Sequence, residues 1–110
     1  MKKNTMVLVA ALCASVGVHA KELEVSQKSK TFLVQKEAVH ALRLSVGDSI
    51  TFRNDDPFFH NVYSASKVKE FDLGSYPQGQ SRKVVFDKEG TVDVECAIHP
   101  DMKLRVDVVK

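Results

Sequence analysis

Sulfur is scarce in this sequence, and the scarcity is informative. Two cysteines occur in 110 residues, Cys13 and Cys96, and no Cys-x-x-Cys pair is present. Thioredoxin-like disulfide exchange is thereby excluded. Neither sign of charge is in excess, with 16 Lys and Arg against 14 Asp and Glu. Nothing in that balance asks for nucleic acid or a strongly acidic partner. No apolar run approaches the ~20 residues that a membrane-spanning helix needs. Internal repeats, low-complexity tracts and linkers are missing too. The chain is long enough for one domain with a modest core and a thin margin of stability.

The first 20 residues stand apart from that domain. Lys2 and Lys3 make a basic start, Met6 to Val18 is apolar or small, and Val18-His19-Ala20 offers small residues where a signal peptidase reads. Residues 1–20 read as a secretory signal peptide, cleaved between Ala20 and Lys21. The run is too short for an anchor, and the bulky Leu12 before Cys13 argues against lipid attachment there. The domain is then 21–110. Loss of Lys2 and Lys3 leaves 14 cationic residues against 14 acidic ones. Cys13 leaves as well, so Cys96 is alone in an exported chain. Such a thiol is an intermolecular bridge, an inert core side chain, a nucleophile or a metal ligand.

Period-two alternation dominates the rest. Leu23/Val25, Leu42/Leu44/Val46, Ile50/Phe52, Val92/Val94/Cys96 and Leu104/Val106/Val108 each alternate with polar neighbours, the pattern of half-buried strands. Phe32–Val34, His60–Ser64 and Arg82–Phe86 read as further strands. Gly47-Asp48, Asn54–Pro57 and Glu89-Gly90 carry turn chemistry. Residues 65–80, with Gly74, Pro77 and Gly79, read as an irregular connection. Gln35–Leu42 is a short, poorly capped helical candidate. About seven short strands in about 90 residues predict an all-β fold, an antiparallel sandwich or barrel.

The chemistry concentrates in Cys96-Ala97-Ile98-His99-Pro100-Asp101-Met102. A thiol, an imidazole and a thioether share one tight loop between two strands. His60 begins another strand after the Asn54–Pro57 loop, and strand ends cluster at the ends of a sandwich, so it can meet that loop in space. Two imidazoles and a thiolate with a distant thioether form the ligand set of a copper electron-transfer site. Structural zinc more often takes several cysteines or carboxylates, and methionine suits it poorly.

The Cys-x2-His-x2-Met spacing, with the upstream pair His60-Asn61, resembles the cupredoxins, the blue-copper family of amicyanin, plastocyanin and pseudoazurin. The short gap from His99 to Met102 looks most like amicyanin. Val46 to Asn54 is similar to the strand–turn–strand that precedes the first histidine in the family. Residues 22–110 as a whole resemble the small proteins labelled methylamine utilisation proteins. The resemblance implies a Greek-key β-sandwich and a periplasmic, monomeric electron carrier rather than an enzyme. It implies one copper ion cycling between Cu(II) and Cu(I), with His60, Cys96, His99 and Met102 as ligands. It implies that Asn61 ties the His60 strand to the Cys96 loop. It also implies electron exit through the exposed edge of His99, with Phe58, Ile98 and Pro100 as docking surface. Redox partner proteins follow, a cytochrome c or an amine dehydrogenase among them. Glu95, Ile98 and Asp101 depart from the family pattern, and two carboxylates beside copper would favour Cu(II) and lower the potential.

Taken singly, these residues have ordinary explanations: a core thiol, a structural histidine, a core methionine. Asp55 and Asp56 read as loop solvation and turn formation. His40 reads as a surface residue, and Lys28, Lys30 and Lys36 as edge-strand protection. A Cys96–His99 nucleophile and base lacks an orienting group. Three histidines outside the signal segment are too few for a multicopper oxidase. A copper chaperone or store on the same four ligands is the remaining alternative, against which stands the lack of any Met- or His-rich tract.

Overall fold

The computed structural model describes residues 20–110. The predicted signal segment, apart from Ala20, lies outside the described residues, and so does Cys13.

Ten strands follow in order: β1 (Glu22–Lys28), β2 (Thr31–Val34), β3 (Glu37–Ala38), β4 (Ala41–Ser45), β5 (Ser49–Asn54), β6 (His60–Ser64), β7 (Phe71–Tyr76), β8 (Ser81–Val85), β9 (Gly90–Cys96) and β10 (His99–Val109). They form two five-stranded sheets, β3-β2-β1-β5-β8 and β4-β10-β9-β6-β7. Alternation works as expected. Val25, Ile50, Phe52 and Val84 of the first sheet and Leu44, Val62, Val92, Val94, Leu104, Val106 and Val108 of the second are all buried. Their polar neighbours along each strand face outward, so the two apolar faces pack as a sandwich. Phe32 meets Phe52 edge-on at 6.1 Å, and Phe71 meets Phe86 edge-on at 6.4 Å, geometries that the ring quadrupoles favour.

Three expectations are corrected. The sheets are mixed rather than antiparallel, because β1 runs parallel to β5 and β4 parallel to β10. Residues 65–80 are not wholly irregular: Phe71–Tyr76 pairs with β6. The helical candidate Gln35–Leu42 is instead a hairpin turn, the two-residue strand β3 and the start of β4. Gln35 and Lys36 have φ of 50° and 71°, the positive values that a two-residue type I′ hairpin turn requires at both central positions. The β1–β2 hairpin turns the same way on Ser29 and Lys30, at 55° and 57°.

The opposite end of β1 is secured by Asp48, a buried side chain in the turn before β5. Its Oδ1 accepts from the Lys21 backbone N–H and its Oδ2 from that of Ser45, both at 2.8 Å. These bonds, Lys21 first, hold the carboxyl below its ordinary range.

Candidate metal centre

Strand register assembles the centre. Val62 of β6 pairs with Cys96 of β9. Two residues before Val62, on the same inward face, is His60, fully buried at the start of β6. Two residues, Ala97 and Ile98, separate Cys96 from its partner His99, the first residue of β10. The turn therefore returns an imidazole directly beside the thiol it has just left. Cys96 Sγ lies 3.6 Å from His60 Nδ1 and 3.6 Å from His99 Nδ1. All three ligating atoms lie within 4.8 Å of one another.

Those separations fit one small ion. Ligand atoms about 2.0 and 2.3 Å from a first-row metal and about 110–120° apart stand about 3.5–3.7 Å from each other, which brackets the S···N separation of 3.6 Å found twice here. The donor set of one thiol and two imidazoles matches the trigonal set that copper electron-transfer sites use. Met102 occupies the irregular stretch of β10 between His99 and Lys103 and is 2% exposed. It lines, with Lys30, Ile98, His99, Pro100 and Asp101, an open cavity of about 400 Å³ beside the centre.

The surroundings grade from buried to exposed. Phe58 places its ring 5.4 Å from His60 and 5.2 Å from His99, capping both imidazoles. Lys30 Nζ stands 5.8 Å from the Phe58 centroid, within cation–π reach. Phe58 and Ile98 are 36% and 51% exposed, so apolar side chains flank half-buried His99. Burial, then the neighbouring His60 and Lys30, hold the His99 imidazole below its ordinary pKa. A depressed pKa keeps that nitrogen unprotonated, the state a metal requires, to lower pH.

No protein-family model matches the chain. The methylamine utilization protein MauL of Methylorubrum extorquens is 32% identical over 68 residues, which is 61% of this chain and 60% of that protein. Among solved structures, a reduced amicyanin variant superposes with a TM-score of 0.67 at 26% identity, over 86% of this chain and 89% of its own. A purple cupredoxin from Nitrosopumilus maritimus matches with a TM-score of 0.64 at 24% identity, over 78% and 98%, a likeness of fold. The chain has the cupredoxin fold.

Two residues of the centre behave differently from the sequence-based expectation. Asn61 does tie the His60 strand to the Cys96 loop, but through its backbone. Its N–H points at Cys96 Sγ at 3.5 Å, and its carbonyl accepts from the Ala97 N–H at 2.9 Å. Its side-chain Oδ1 is buried without a hydrogen-bond partner among the described residues. Asp56, read from sequence as a solvated loop residue, is instead 3% exposed, with Oδ2 2.7 Å from His60 Nε2. An acid four residues before the histidine was a visible signal, but Asn54-Asp55-Asp56-Pro57 carries the same letters as a simple turn. Asp55 does keep to the surface, paired with Arg53 and Ser26. His40 is exposed, as expected, and gives its carbonyl to Arg105.

Proposed function

We propose that this chain is a cupredoxin, an exported type 1 copper protein that carries single electrons between redox partner proteins, with His60, Cys96, His99 and Met102 holding one copper ion. The observation that carries the reading is the convergence of Cys96 Sγ and two imidazole Nδ1 atoms at the end of a closed sandwich. Copper supplies the one-electron chemistry by alternating between Cu(II) and Cu(I). The chain's own residues do the rest. Cys96 binds as thiolate, and the Asn61 N–H moderates the electron density on its sulfur. His60 and Cys96 are buried on strands joined by the pairs Val62–Cys96, Tyr63–Glu95 and Ser64–Val94, so the donors are held rather than gathered. Held donors favour an electron carrier over a chaperone or store, which must open to release its cargo. Phe58 excludes water above both imidazoles. Half-buried His99 brings a ligand edge to the surface, where Phe58, Ile98 and Pro100 offer apolar area for a redox partner.

Export has its own support. Cleavage between Ala20 and Lys21 would turn the Lys21 backbone nitrogen, 2.8 Å from Asp48 Oδ1, into an α-ammonium already placed against a carboxylate. The resemblance to amicyanin and MauL makes a cytochrome c and an amine dehydrogenase the partners to try first, in a periplasmic setting.

Film voltammetry with a chelator present separates carrier from chaperone. A carrier gives a reversible one-electron wave that survives repeated cycling. Copper lost to the chelator in one oxidation state would instead favour the handling role.

A further inference from the structure

Asp56 lies where a solvated loop residue has no reason to be. Its carboxylate collects two backbone N–H groups and an imidazole nitrogen in an almost closed site. The Ser29 backbone N–H donates to Oδ1 at 2.6 Å, the Lys30 N–H to Oδ2 at 3.1 Å, and His60 Nε2 lies 2.7 Å from Oδ2. The loop carrying it is fixed in turn. Asn54 Oδ1 accepts from the Asp56 N–H at 2.8 Å, while Asn54 Nδ2 donates to the carbonyls of Phe58 and Tyr76. The two backbone donors come from the β1–β2 turn, whose Ser29 and Lys30 hold positive φ without being glycine. Such residues incur a steric cost of about 1–2 kcal/mol each. The amide–carboxylate bonds help offset it.

An ionised carboxylate only accepts hydrogen bonds. Opposite Asp56, Nε2 of a neutral His60 must therefore carry the ring proton. The lone pair is left on Nδ1, the atom facing Cys96 Sγ at 3.6 Å. A carboxylate behind a metal-bound imidazole also makes the ring a stronger donor.

We propose that Asp56 is the positioning residue of the copper centre: it locks His60 in the Nε2–H tautomer, aims Nδ1 at the metal and, through its charge, biases the site toward Cu(II). This inference rests on the copper reading above. It also makes the β1–β2 turn, remote in sequence from every ligand, part of the centre's support.

Two measurements test it. Long-range 1H–15N correlation on the metal-free wild-type protein reads the His60 tautomer without copper. A protonated Nε2 with a slowly exchanging proton is expected, and a protonated Nδ1 overturns the proposal. The second compares the copper-loaded wild type with Asp56→Asn, which keeps the size and removes the charge. Losing such a partner typically weakens metal affinity 10–100-fold. Each tenfold loss of Cu(II) affinity relative to Cu(I) raises the potential by about 59 mV. An unchanged potential with the wild-type spectrum overturns the proposal; a raised one supports it. A variant that does not fold leaves the wild-type tautomer to decide. A wild type that gives no thiolate-to-copper band overturns the copper reading instead, and the tautomer still decides whether Asp56 positions His60.

Discussion

At the scale of single residues, the proposed centre divides into groups that would bind and groups that would aim. Cys96 is the proposed thiolate ligand, and Cys96→Ser removes the sulfur on which an intense charge-transfer band would depend. A visible spectrum of the variant after copper addition is expected to be pale. Retained colour would contradict the ligand assignment. Met102 is the proposed fourth ligand, and Met102→Gln replaces a soft sulfur with a harder amide oxygen that favours Cu(II). Copper is expected to stay and voltammetry to record a lower potential; if spectrum and potential both stand still, Met102 is not a ligand. The nearness of Cys96, His99 and Met102 was legible in the sequence because they sit on one loop, where chain geometry alone keeps them close. His60 was legible because it opens a strand. Asp56 was not, since what makes it more than a turn residue is two amides 27 and 26 residues away. No local pattern reveals that approach. Asn61 was half legible: its place was read correctly, but the work is done by backbone atoms that any residue would supply.

At the scale of elements, alternation revealed the strands, and turn chemistry revealed less. The Gln35-Lys36 turn lacks the Asn-Gly letters of a type I′ hairpin, which is why residues 35–42 offered a helical reading. The cost of that choice is testable. Lys36 holds φ at 71°, so Lys36→Gly relieves the left-handed strain at the expense of some unfolded-state entropy. Chemical denaturation is expected to show a gain of about 0.5–1 kcal/mol, and a loss would mean the Lys36 side chain matters more than its backbone. Gly90 opens β9, the strand that ends in Cys96, with φ of 139°. A methyl group there would come 2.6 Å from Val68 Cγ2. Gly90→Ala is therefore expected to destabilise the fold by about 1–3 kcal/mol in the same assay, and a neutral result would contradict the tight fit of β9 against Val68. Sheet order was not legible. The parallel pairs β1/β5 and β4/β10 join strands well separated in sequence, and a strand's own alternation does not say which neighbour it takes.

At the scale of the whole molecule, acid and metal act on the same two-sheet fold. The depressed pKa of Asp48 means that the unfolded chain binds the proton more readily than the folded one. Its contribution to stability is complete above the ordinary carboxylate value of about 3.9. It is lost as pH falls through the lower folded value. Asp48→Asn removes that part of the acid dependence, so thermal melting at several pH values should show a shallower acid limb than the wild type; parallel limbs would remove Asp48 from the account. Copper works in the opposite sense. A ligand at 1,000 times its Kd stabilises by about 4.1 kcal/mol. In a domain of this size each kcal/mol moves Tm by about 4–8 °C. The sandwich itself was legible from the rhythm of apolar residues, and the convergence of His60, Cys96 and His99 from their places at strand ends. The arrangement that makes a small core and a metal mutually supportive emerges only when β6, β9 and β10 lie side by side.

The central claim is that His60, Cys96 and His99 act together on one copper ion. The visible and EPR spectrum of the purified protein after one equivalent of Cu(II) tests it most directly. The account predicts an intense blue or green thiolate-to-copper band, small copper hyperfine splitting, and bleaching on reduction. A pale solution with ordinary copper hyperfine splitting, or no stable binding, would contradict it.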